Sequence, residues 1–339
     1  MQVKVFCATD EDENLYRRYL SRYDKNGCVH VTFTAEDLDE EHVRKQTKDI
    51  QAVVILTRCV IHENVAKILK ENGVKYVLTR SAGYDHIDIQ ALERNGIKAS
   101  NVPLYSPNAI AEYVCMTVLM ILRKMKRQLR MIERNDYRLT GIRGRELRNM
   151  TIGIVGTGRI GCETVKIMSG FSGRILAYDM YPKDDMRLLA SYVSLEELYK
   201  NSDIIIYHCP LTEENYHMVN ENAISKMKQG VILVNPARGG LWDYRAVADA
   251  VESGKIAGVV TDVYESEKSY LRKKVTGSII EFSSENSALE ELRNRENVIY
   301  TAHSAFYTDT AIENMIETTV ENLVAFARMG SCSCLITGK

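Results

Sequence analysis

Apolar positions along the chain keep two rhythms. Short runs rich in β-branched residues, "VKVFC" (3–7), "AVVIL" (52–56) and "KYVLT" (75–79), predict strands. Between the last two, "ENVAKILKENG" (63–73) has helical spacing and closes on Gly73, a C-cap residue. Alternating strands and helices imply a parallel sheet. From 106 to 135, apolar residues at 110, 114, 118, 121, 122 and 125 predict one long helix, started by Ser106 or Asn108 and basic in its second half. Such a helix bridges two blocks, forms an oligomer surface, or is a plain buried helix. Then the strand rhythm resumes at 151–156, 174–178, 204–208, 231–235, 258–262 and 298–302. A polar insertion fills 268–296, and a helix with a polar tail occupies 303–339.

Composition narrows the class. A chain of 339 residues is large for one core, so two domains are expected. A net charge of -1 offers no broad basic surface for nucleic acid. The start, "MQVKVFCATDEDENLY", does not read as a signal peptide, and no apolar run suits a membrane span. The expectation is a cytoplasmic protein. Of eight cysteines, most sit in apolar runs and read as small buried hydrophobes. Cys332 and Cys334 form a close pair of the kind that binds metal or oxidises, but no second pair completes a zinc site, and the favoured reading is a mobile tail with two thiols. No metal is expected.

"TIGIVGTGRIG" sets Gly156, Gly158 and Gly161 between a strand and a helical run. Gly156 permits the tight turn, Gly158 lets the backbone approach a pyrophosphate, and Gly161 lets helix and strand pack closely. The helix N-terminus adds N–H groups and a positive dipole end. The next strand runs into Asp179, placed to accept hydrogen bonds from a ribose diol and to repel a 2′-phosphate. NAD is thereby favoured over NADP.

Ligands of open parallel sheets bind beyond the carboxyl ends of the strands. Three such ends carry reactive side chains: Arg238 after "VILVN", the crowded carboxylates Asp262, Glu265 and Glu267 after "GVV", and His303 after "VIYTA". Reduction of a 2-oxo acid needs a fork of donors for the substrate carboxylate, a proton for the keto oxygen, and a carboxylate to orient the proton donor. Arginine, histidine and glutamate supply these in turn.

With these residues in view, the chain resembles the D-isomer-specific 2-hydroxyacid dehydrogenases, most closely their D-lactate dehydrogenase branch. The match runs through "TRSAGYDHID" (79–88), "NVPLYSPNAIAE" (101–112), "GTGRIG" (156–161), "HCP" (208–210), "MKQGVILVNPARGGLWD" (227–243), "TDVYESE" (261–267) and "TAHSAFYT" (301–308). The resemblance implies an α/β chain of two Rossmann- or flavodoxin-like lobes with the active site in the cleft between them. A discontinuous substrate lobe would span 1–101 and 302–339, and an NAD-binding lobe 102–301. It implies catalytic roles for Arg238, Glu267 and His303. Cofactor contacts would come from Gly156, Gly158, Arg159, Ile160, Gly161, Asp179, Cys209, Pro210, Asn215, Pro236, Ala237, Arg238 and Asp262. Backbone N–H groups at Ala82 and Gly83 would meet the substrate carboxylate beside Tyr105, and the long helix would help form a homodimer. Two positions depart from the family pattern: Ala302 stands where proline is common, and Cys209 where an aliphatic residue is usual.

Substrate choice falls to the N-terminal lobe. Arg58 after "AVVILT" is either a loop arginine, leaving a monocarboxylic substrate, or the partner of a second carboxylate, as in 2-hydroxyglutarate. A further alternative is an NADH-sensing, corepressor-like protein on the same fold.

Overall fold

The computed structural model describes residues 1–171, 173–265, 267 and 287–338. The chain forms two compact units, one of Met1–Ser106 with Tyr307–Lys339 and one of Pro107–Phe306. These bounds lie a few residues beyond the expected crossovers near Asn101 and Ala302.

The first unit alternates β1 (Gln2–Val5), α1 (Asp10–Tyr23), β2 (His30–Phe33), α2 (Glu40–Gln46), β3 (Ala52–Ile55), α3 (Glu63–Glu71), β4 (Tyr76–Thr79), α4 (Ile89–Arg94) and β5 (Lys98–Ser100). All strands pair in parallel in the order β2-β1-β3-β4-β5. This is the flavodoxin-like order, which reverses direction between β1 and β3. The central β3 is apolar on both faces, and all four of its residues are buried. Thr9 caps α1 with a full capping box to Asp12.

The second unit opens with α5 (Pro107–Leu122) and α6 (Met125–Glu133). The single long helix expected over 106–135 is broken at Lys124, whose φ is 51°. No glycine or proline marks that break; the chain turns where Lys124 Nζ reaches the Gly141 carbonyl and Arg145 N–H takes up the Leu122 carbonyl. Then follow β6 (Thr151–Val155), α7 (Arg159–Ser169), β7 (Arg174–Tyr178), β8 (Ser191–Tyr192), α8 (Leu195–Asn201), β9 (Ile204–Tyr207), α9 (Glu221–Lys226), β10 (Val231–Asn235), α10 (Tyr244–Glu252), β11 (Ile256–Thr261), α11 (Ser287–Arg293) and β12 (Val298–Tyr300). The seven strands order as β12-β11-β10-β9-β6-β7-β8, a Rossmann sheet reversing between β6 and β9. Of the polar stretch 268–296, residues 268–286 lie outside the described residues, and α11 closes the remainder.

The chain returns to the first unit as α12 (Asp309–Met329), capped by Thr308 and ended by left-handed Gly330. The tail beyond it is not loose, contrary to the sequence expectation. Leu335 bridges Ser100 in antiparallel sense, Asn101 and Ile336 exchange backbone hydrogen bonds with Cys334 and Ala99, and the Ile336 side chain is buried in the core. The β-strand N–H groups at the edge of β5 give a polar sequence something to bind. No helix among the described residues is long and apolar enough to cross a membrane.

Candidate active site

The glycine turn between β6 and α7 is built as its spacing requires. Gly156 has a φ of 96°, and a Cβ there would meet Cys209 N at 2.7 Å. The end of β6 thus lies against the end of β9, across the reversal in strand order. A Cβ at Gly161 would sit 2.0 Å from the Gly156 carbonyl oxygen, so only glycine lets α7 start this close. A Cβ at Gly158, the N-cap of α7, would meet nothing within 4 Å. The open space there, at the positive end of an eleven-residue helix, fits a pyrophosphate.

Asp179, just past β7, accepts from Thr157 N–H and Oγ1 and from Tyr181 N–H, which fixes its carboxylate beside the glycine turn. Arg159 and Ile160 form the first turn of α7. Asn215 staples the 210–215 loop, donating to the Pro210 carbonyl and accepting from Thr212 N–H. Burial raises the Cys209 thiol to about 11, consistent with packing rather than redox chemistry. Ala237, after Pro236, donates its N–H to Asn235, which shapes the turn that carries Arg238.

Adjacent parallel strands β10, β11 and β12 bring Arg238, the carboxylate cluster and His303 to one edge of the sheet. A Cβ at Gly239 would meet the Tyr264 carbonyl carbon at 2.2 Å and Glu265 N at 2.3 Å, so the Arg238 turn rests directly on the backbone leading to Glu267. His303 Nδ1 lies 2.7 Å from Glu267 Oε1. The side chains of His303 and Glu267 are 22% and 17% exposed, enough shielding from solvent to strengthen the pair. The other Glu267 oxygen accepts from Tyr264 N–H at 3.0 Å. An ionised carboxylate only accepts, so against Glu267 His303 donates through Nδ1, which leaves Nε2 for other partners.

The three crowded carboxylates separate by partner. Glu265 pairs with the Tyr216 hydroxyl and with His217 Nε2. Glu267 holds His303. Asp262, 1% exposed, accepts from Thr301 Oγ1 at 2.5 Å, Ser304 N–H at 2.9 Å and Ala305 N–H at 2.8 Å. Burial pushes the Asp262 carboxyl up from its ordinary value, and these hydrogen bonds pull it back. The sequence reading makes Asp262 a cofactor contact; the geometry adds an anchoring role for the His303 loop. Sequence reasoning also missed Thr301, which joins Asp262 to the Tyr113 hydroxyl. It missed Tyr244 too, whose buried hydroxyl donates to the Val263 carbonyl at 2.6 Å. Hydroxyls spread over the chain leave no local pattern to find.

The remaining predicted residues belong to the first unit. Ala82 and Gly83 form the turn after β4, shaped by Ser81 Oγ donating to the Gly83 carbonyl and Asn101 Nδ2 to that of Ala82. The Tyr105 carbonyl accepts from Asn314 on α12. Arg58 does not stand as an open cation: its guanidinium pairs with Asp37, and also reaches Cys7 Sγ and the Ala35 carbonyl. With that charge already matched by Asp37, the second-carboxylate reading loses its support.

A family profile, "D-isomer specific 2-hydroxyacid dehydrogenase, NAD binding domain", matches residues 115–305. The chain belongs to the D-isomer-specific 2-hydroxyacid dehydrogenases. It is 36% identical over 336 residues to an aromatic 2-oxoacid reductase of Clostridium sporogenes, covering 98% of each chain. It is 33% identical to a D-lactate dehydrogenase of Lactiplantibacillus plantarum, covering 97% of each. A solved D-2-hydroxyisocaproate dehydrogenase superposes with a TM-score of 0.85 at 34% identity, covering 100% of both chains. This dehydrogenase is therefore an NAD-dependent oxidoreductase acting on a CH–OH group, and the sensor alternative is not retained.

Proposed function

We propose that this dehydrogenase reduces a monocarboxylic 2-oxo acid to its (R)-2-hydroxy acid. The observation that carries the reading is the 2.7 Å contact of His303 with Glu267 at the carboxyl edge of an NAD-binding sheet. NADH, when bound, supplies the hydride. Arg238 grips the substrate carboxylate with its donor fork. His303 gives a proton from Nε2 to the keto oxygen as that oxygen becomes a hydroxyl. Glu267 orients the ring through the Nδ1 contact. The N–H groups of Ala82 and Gly83, with Tyr105, are the first unit's own candidates for substrate contact. The Asp37–Arg58 pair argues for a monocarboxylic substrate, lactate or a longer aliphatic or aromatic analogue.

The test is NADH consumption with pyruvate, 2-oxoisocaproate, phenylpyruvate and 2-oxoglutarate, followed by chiral analysis of the product. Turnover of 2-oxoglutarate above the other three, or an S product, would overturn the reading. We read α6 and the loop after it as a homodimer surface: Leu129, Ile132, Tyr137 and Leu139 are exposed there. Ile132→Glu should then halve the mass seen by light scattering, and an unchanged or already monomeric mass would count against it.

A further inference from the structure

The sheet of the first unit reverses between β1 and β3, and a thiol pair sits at that point. Cys7 follows β1 and Cys59 lies in the turn after β3. Their sulfurs are 3.3 Å apart. Both residues are buried, Cys7 5% and Cys59 1% exposed. The sequence reading of these cysteines as small buried hydrophobes overlooks the polar frame around them. Leu38 N–H donates to Cys59 Sγ at 3.2 Å, and Arg58 Nε donates to Cys7 Sγ at 3.2 Å. Asp37 faces Cys7 Sγ at 3.4 Å and pairs with Arg58. Arg80, itself paired with Asp12 at 3.0 Å, donates to the Cys7 carbonyl. Cys7 also holds a left-handed backbone, with a φ of 59°.

We propose that Cys59 is a peroxide-reactive thiolate and that Cys7 resolves it, closing a reversible disulfide within this unit. A hydrogen bond from the Cys7 thiol, with backbone N–H groups, holds the Cys59 thiol below its ordinary value, while that same bond and burial push Cys7 up. Of the two sulfurs, Cys59 is thus the readier to ionise and attack, and Cys7 the one placed to resolve. Cys59 S⁻ attacks one oxygen of hydrogen peroxide. An S–O bond forms, the O–O bond breaks, and the departing hydroxide takes a proton to become water. The Cys7 sulfur then attacks the Cys59 sulfenic acid. An S–S bond forms, the S–O bond breaks, and hydroxide leaves with the Cys7 proton as a second water. Two thiols lose two electrons and one peroxide gains them. Burial restricts the oxidant to a small neutral molecule. The set Cys7, Asp37 and Cys59 also has the composition of a three-ligand metal site. The Arg58 guanidinium, in contact with both Cys7 and Asp37, opposes a cation there.

The test treats the whole protein with hydrogen peroxide and maps peptides by mass under non-reducing conditions. A Cys7–Cys59 linked peptide, two mass units below the reduced pair and restored by dithiothreitol, is expected. It should form at least tenfold faster than oxidation of Cys115, whose burial raises its thiol and which serves as an internal reference. In Cys7→Ser, Cys59 should stop at a sulfenic acid trapped by dimedone. In Cys59→Ser, Cys7 should oxidise no faster than Cys115. Oxidation of Cys59 at the Cys115 rate, or linkage of either cysteine to another partner, overturns the proposal. So does one tightly held zinc ion per chain that protects both thiols.

Discussion

Asp262 ties down the chain on both sides of His303, by the Thr301 hydroxyl before it and by backbone N–H groups after it. Its carbonyl accepts the His303 N–H at 2.7 Å, and its carboxylate takes Thr301 before the histidine and Ser304 and Ala305 after it. His303 itself has a φ of 52°, a left-handed conformation that costs a non-glycine residue on the order of 1 kcal/mol. The carboxylate fixes that conformation and thereby the direction of the ring. Asp262→Asn turns one acceptor oxygen into a donor facing N–H groups. Its kcat should fall about a hundredfold, as for a misplacement of about 1 Å, while the NADH KM moves less than about threefold. Steady-state kinetics decide: an unchanged kcat with a raised NADH KM would make Asp262 a cofactor contact alone.

Replacing His303 by alanine removes the proposed proton donor and leaves the glycine turn untouched. We expect kcat to drop by about 10²–10⁴, the usual worth of general acid catalysis, with NADH affinity by fluorescence titration within about twofold. Glu267→Gln keeps the shape but not the charge, so it should lose kcat less severely. Glu265→Gln, whose partners are Tyr216 and His217, should leave kcat within about twofold. Equal losses in the two glutamine variants would undo the division of the carboxylates.

What the sequence displayed, and what it hid, follows from burial. Central strands such as β3, β9 and β10 are apolar on both faces and announce themselves as runs of valine and isoleucine. The three strands without such a run, β2, β5 and β8, are edge strands of two to four residues. They draw their order from a neighbour's backbone rather than from their own side chains. The site behaves likewise. The glycine turn is local and its geometry is readable; that Arg238, Glu267 and His303 come to one edge of the sheet is readable because parallel strands bring successive ends together. The Asp262 scaffold and the Cys7–Cys59 pair depend on contacts across the fold, to which spacing is blind.

Gly158 and Gly161 look alike in sequence but should fail differently. Gly158→Val points into open space with an ordinary φ of -63°. The fold should tolerate it, with Tm within about 2 °C, while the side chain fills the volume proposed for pyrophosphate and weakens NADH binding at least tenfold. Gly161→Val drives a side chain into the Gly156 carbonyl and should lower Tm steeply or prevent soluble expression, by the strain of overpacking, roughly 1–3 kcal/mol or more. Calorimetry and NADH titration on both variants separate the two losses. Equal destabilisation would mean that the space at Gly158 is needed by the protein itself.

His208 ties stability to pH. Its Nε2 lies 2.9 Å from Thr164 Oγ1 between β9 and α7, and burial lowers the imidazole to about 3 from an ordinary 6.5. Between those values the unfolded chain binds a proton that the native chain refuses. Stability is therefore full above about pH 6.5 and falls as the pH drops toward 3. At about 1.4 kcal/mol per pH unit, acidification from 6.5 to 5 costs at most about 2 kcal/mol from this group. His208→Gln keeps a hydrogen-bonding side chain and cannot titrate. Its Tm should decline less steeply than the wild type between pH 7 and 5, by a few degrees at the acid end. Parallel declines in a pH series of thermal melts would show that the native imidazole takes up its proton after all.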